Sequence, residues 1–177
     1  MAKLIEIWND FAEDFLLEFA GMTIWFGRLE YLLRLIVKDY LGQGFTDGFA
    51  HAESKRQFAT LCDEAMTLFD RKYLGPKDRA VFKTLMARAK EIGDQRNDMV
   101  HALWTTDGMT NPKRYRPKWD KSTKRVSWAR SRVVTAAEVE MLKMKVATLF
   151  HDLDDDRKGR GFGAPKLNNV FVTGELI

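Results

Sequence analysis

Met22–Leu41 reads MTIWFGRLEYLLRLIVKDYL and is the most apolar run of the chain. Arg28, Glu30, Arg34 and Lys38 interrupt it. Ionised groups at that density are too costly in hydrocarbon for a membrane span. The apolar residues recur instead at helical steps: Trp25, Leu29, Leu32, Leu33, Ile36 and Tyr40. Upstream, Leu4, Trp8, Phe11, Phe15 and Phe19 keep the same rhythm. The pattern predicts helix over 4–41, with Gly21 and Gly27 as places where it bends or splits.

Outward from this run, GQGFTDG reads as a plain loop, and helix is expected again over 54–73, with Phe58, Leu61, Cys62, Ala65 and Leu68 on one side. LGP closes that helix, and Pro76 suits the first turn of the next. The third helix runs through Val81, Phe82, Leu85, Met86 and Ala89 towards Trp104, with Gly93 a possible break. Then the texture changes. GMTNP is turn chemistry, and KRYRPKW and KRVSWARSRVV look extended around a DKST turn. This predicts a basic β-hairpin over about 105–134, with Val126, Trp128, Arg130 and Arg132 on one face. TAAE, Thr135–Glu138, is a capping box that opens a last helix carrying Val139, Leu142, Met144, Val146, Leu149, Phe150 and Leu153. The expected organisation is one mainly α domain over 1–154, with the hairpin inserted, and a flexible, basic, glycine-rich tail over 155–177.

A chain of 177 residues is long enough for one proper core. A single cysteine, Cys62, excludes an internal disulfide framework and fits a reducing compartment. One cysteine and three scattered histidines give no readable zinc site, and no cofactor is expected. Glu6, Asp10, Glu13 and Asp14 come too early for a signal peptide, so a cytoplasmic location is expected. The net charge of +4 is unevenly spread. Between Lys113 and Arg132 stand nine bases against Asp120 alone, a pattern suited to a polyanionic partner.

The segment DQRNDMVHALW, Asp94–Trp104, concentrates candidate chemistry. On a helix, Asn97 and His101 lie one turn apart on one face, and the long side chain of Arg96 can reach round to them. A buried histidine beside an arginine and an asparagine would make an anion site. The guanidinium fork holds phosphate oxygens, the imidazole moves protons near neutral pH, and the asparagine can orient the ring or hydrogen-bond the substrate. No carboxylate cluster for metal ions is apparent. The set suits metal-independent RNA cleavage, with the 2′-hydroxyl attacking the neighbouring phosphate.

Arg96-Asn97-Asp98-Met99-Val100-His101, followed by Ala102 and Trp104, resembles the RNxxxH motif of the HEPN superfamily. The resemblance covers the helical parts, about 4–104 plus the helix from Thr135; the hairpin departs from a minimal bundle. It implies an antiparallel helical bundle that forms a homodimer, two motif helices meeting at a two-fold axis. Many members are RNases of toxin–antitoxin, abortive-infection or CRISPR-linked defence, and an antitoxin or defence-system protein is then a possible partner. Arg96 would bind phosphate, His101 transfer protons and Asn97 support them, with Glu30 and Asp98 as supporting residues. Catalytically dead members that only bind RNA or a partner protein are the alternative, and a mononucleotide-binding regulator is a third.

Duller roles compete at each position. Cations near a helix carboxyl end are favoured by the macrodipole without any catalysis. Glu30 can hold Arg96, or simply pair with Arg34 one turn on, which the spacing favours. His51 reads as a loop or helix-start residue, His151 as a helix-end cation, and Cys62 as core. In the hairpin, Lys113, Arg114, Tyr115, Arg116, Trp119, Arg125, Trp128 and Arg130 are candidates for binding RNA, by stacking on bases and pairing with phosphates. The same residues also make a charged, solvated edge that discourages strand-to-strand aggregation.

Overall fold

In the computed structural model the described residues are 11–72, 75–106, 112–115, 117–128 and 132–162, with backbone alone at 117, 118, 127 and 128. The protein is mainly α with an inserted antiparallel β-segment. The order is α1 (Glu13–Leu41), α2 (Phe45–Ser54), α3 (Phe58–Lys72), α4 (Pro76–Val100), β1 (Leu103–Thr106), β2 (Pro112–Tyr115), β3 (Pro117–Asp120), β4 (Arg125–Trp128), β5 (Arg132–Val133) and α5 (Ala136–Gly159). The helical turns expected before Phe11 and the tail after Phe162 lie outside the described residues. Among the described residues no helix is long and apolar enough to cross a membrane.

The chain divides into two compact units. The first comprises residues up to Arg28 and Ala87–Thr148. Its buried residues include Phe15, Met22, Phe26, Ala89, Ile92, Val139, Leu142 and Val146. Gly21 does not split α1; a Cβ there would stand 3.1 Å from the Lys143 side chain, whose ammonium pairs with Glu18 at 2.5 Å. Thr135 opens α5 as expected. The Glu138 N–H donates to Thr135 Oγ1 at 3.2 Å, and the Thr135 N–H donates to the Glu138 carboxylate at 2.9 Å, which satisfies two otherwise open donors.

The β-segment is richer than one hairpin. β1, β2 and β5 form an antiparallel three-stranded sheet in the order β1-β2-β5, and β3 and β4 form a separate ribbon around the turn at 121–124. The expected extended runs are therefore each divided between two sheets. Three steps separate Arg114 from Pro117 on the way out, and four separate Trp128 from Arg132 on the return. That one-residue mismatch breaks a common register. α4 also ends earlier than expected. Trp104 belongs to β1, where it pairs with Arg114, because its indole N–H turns back to the Met99 carbonyl at 2.8 Å.

The second unit comprises Leu29–Met86 and the residues from Leu149 on. Phe69 and Phe82 stack at 4.4 Å, and Tyr40 meets both edge-on. The expected loop at GQGFTDG holds a helix, α2. Glycines argue against helix by propensity, but Gly48 lets α2 press against α1: a Cβ there would lie 2.6 Å from Lys38 Cγ. Glu53 reaches Arg34 at 2.7 Å, and His51 sits within α2, its ring 2.9 Å from Glu64 of α3. α5 continues past the expected end at 154. Arg157 forms a buried pair with Asp39 at 2.6 Å, and Lys158–Asp154 and Arg160–Asp156 bridge successive turns. It closes at Gly161, φ +83°, where the Gly161 N–H bonds to Lys158 and the Phe162 N–H to Arg157.

Candidate active site

The carboxyl end of α4 carries Arg96, Asn97 and His101. The backbone N–H of His101 still donates to the Asn97 carbonyl at 3.1 Å, so the two side chains keep their one-turn spacing. Arg96 reaches round as its length allows, donating from Nη1 to Asn97 Oδ1 at 3.1 Å. Its guanidinium carbon lies 4.9 Å from the centre of the Phe26 ring, and its Nε is buried without a hydrogen-bond partner. The aromatic face and the asparagine together fix a cation at the helix end. His101 is exposed, which corrects the expectation of a buried histidine: α4 stops at Val100, and His101 stands just past its end.

Trp104 braces this end from below. Its ring meets Phe15 at 5.3 Å and Phe19 at 5.9 Å, both edge-on, while its N–H holds the Met99 carbonyl. Neither Phe26 nor the indole bond could be read from the sequence, since the partners lie far from the motif or depend on where α4 ends.

Glu30 and Asp98 are the expected supporting residues. Glu30 pairs with Arg34 at 2.7 Å, as the spacing favoured. Asp98 lines a different cleft of about 300 Å³, with Gln95, Met99, Arg114, Arg132 and Lys145. Arg114 and Arg132 face each other across β2 and β5, an arrangement that repels unless neutralised. Glu138 of the capping box answers Arg132 directly. Arg132 is thus committed partly to the fold.

The remaining candidates divide by exposure. Lys113 and Tyr115 are half-buried in β2, whereas Trp119 and Arg125 are exposed on the ribbon. Arg116, Arg130 and the Trp128 side chain lie outside the described residues. Asp120 closes the ribbon's turn: its carboxylate accepts from the Ser122 hydroxyl at 2.7 Å and from the N–H groups of Ser122 and Thr123 at 2.8 and 3.3 Å. Those bonds, the Ser122 side chain's foremost, hold its pKa down at about 2. Cys62 is buried core.

Comparisons with family models, with curated proteins and with solved structures returned no match.

Proposed function

We propose that the protein is a metal-independent endoribonuclease of the HEPN type, working as a homodimer in the cytoplasm, in defence or in a toxin–antitoxin pair. The observation that carries this reading is the α4 terminus. There a guanidinium held by Phe26 and Asn97 stands on the same exposed helix end as an imidazole. A fixed cation suits a phosphate whose charge grows in the transition state. An exposed imidazole suits proton transfer to and from a substrate that arrives from solvent.

The chemistry needs two proton carriers, and one copy offers one histidine at this point. Two copies meeting at the α4 ends supply both. One His101 takes the proton of the 2′-hydroxyl as its oxygen bonds to phosphorus. The other gives a proton to the 5′-oxygen as the P–O5′ bond breaks. A cyclic phosphate and a 5′-hydroxyl result, and the two Arg96 guanidinium groups hold the non-bridging oxygens.

The test is RNA cleavage in excess EDTA by wild type, Arg96→Ala and His101→Ala. Cutting by wild type alone, with cyclic-phosphate ends, is expected. A well-folded wild type that cuts none of several RNAs refutes the reading and leaves a module that binds RNA or a partner protein.

A further inference from the structure

The ribbon β3–β4 displays an aromatic residue where a packed protein would hide it. Trp119 and Val126 are register partners on one face of the ribbon, 57 % and 51 % exposed. Leaving so large an apolar surface in water forgoes burial that a core position would give. The surroundings are cationic. Lys121, Lys124 and Arg125 are exposed around the turn, and the one acid among them, Asp120, is occupied by the turn's own donors. Lys124 stands at φ +53°, in the left-handed region. The turn is closed by the Asp120 bonds, with its lysines on the outside.

We infer that Trp119 is a stacking platform for an unpaired base, with Lys121, Lys124 and Arg125 taking the adjoining phosphates, so that the ribbon selects single-stranded RNA. An indole face accepts any base, but only one that has left a duplex. A paired helix hides its base faces and can engage the cations alone. A lipid surface fits less well: the lysines occupy the apex, and Trp119 lies on the flank, so the charges would enter the bilayer before the indole. The inference names the substrate class of the proposed nuclease and rests on that reading for the cutting, though not for the binding.

The experiment measures binding by anisotropy with uncut RNA, using His101→Ala protein. The probes are a labelled single-stranded oligouridine, a labelled duplex, and vesicles rich in anionic lipid. Adding Trp119→Ala should weaken the single strand about tenfold and leave the duplex nearly unchanged. Trp119→Phe, which keeps a ring, should retain most of the affinity. Lys121→Ala with Lys124→Ala should weaken both nucleic acids and flatten the salt dependence. Single-strand binding indifferent to Trp119→Ala overturns the inference, as does an equal loss on the duplex. Trp119-dependent binding to vesicles in place of RNA overturns it too. Trp119-dependent binding by a protein whose wild type cuts no RNA sustains the platform and refutes the nuclease; cutting without that dependence does the reverse.

Discussion

Trp104 should be worth more to the α4 terminus than its half-buried position suggests. Its indole N–H donates to the Met99 carbonyl at 2.8 Å, and its ring meets Phe15 and Phe19 edge-on. Trp104→Phe removes the donor and keeps an aromatic body, so it should cost about 1 kcal/mol, the net value of one hydrogen bond. Trp104→Ala also loses two aromatic pairs, each worth about 0.5–1.5 kcal/mol, and the surface they cover, for a total of roughly 3–5 kcal/mol. For a chain of this size each kcal/mol lowers Tm by roughly 2–4 °C. The ladder is therefore a small fall for Phe and roughly 6–20 °C for Ala, followed by circular dichroism so that the lost fluorophore does not matter. Hydrogen exchange supplies the local readout. The His101 amide, bonded to Asn97, should exchange faster in both variants, because the turn containing Met99 has lost its brace. Equal melting of Phe and Ala variants, or unchanged protection at His101, refutes the reasoning.

Arg157→Ala takes the guanidinium from buried Asp39 but leaves Lys38 at 2.8 Å on its other oxygen, so in urea unfolding it should cost less than the roughly 3–5 kcal/mol of a fully orphaned buried charge. Replacing both by apolar residues of similar size should recover much of that loss. Gly161→Ala forces a Cβ into the left-handed region and should cost about 1–2 kcal/mol by the same measurement. Stability should also fall on the acid side. The Glu64 pKa is lowered chiefly by the bond to the His51 side chain, so its contribution is present above the ordinary glutamate range and is lost as pH falls below that range through the lowered value. Wild type and Glu64→Gln should therefore converge in Tm at acid pH and diverge towards neutrality, and a gap that widens on acidification contradicts the assignment.

The long helical stripes, the start at Pro76, the capping box at Thr135 and the DKST turn were all legible, because each rests on local chemistry within a few residues. α2 was not, because FTDGFAHAES becomes helical through Gly48 pressing on Lys38, a contact no window of sequence contains. The extension of α5 to Gly159 escaped for the same reason, since its acidic and basic residues look like a solvated tail until Arg157 meets Asp39. At the candidate site the reach of Arg96 to Asn97 and the pairing of Glu30 with Arg34 follow from helical geometry. The shelf under Arg96 does not, for Phe26 belongs to another helix. The exposure of His101 depended on where α4 stops, and the competing strand at Leu103–Thr106 settled that.

The buried pair between Asp39 and Arg157 spans 118 positions of sequence. At a synthesis rate of about 5–20 residues per second, Asp39 leaves the peptidyl-transfer step roughly 6–24 s before its partner is made. Through that interval the second half of α1 has its apolar stripe of Leu29, Leu33, Ile36 and Tyr40 but lacks the helix segment from Leu149 on. The nascent chain thus holds a sticky surface open until translation is nearly past residue 157. A slow ribosome over α5 would prolong the time in which a chaperone, or a neighbouring nascent chain, can reach it first.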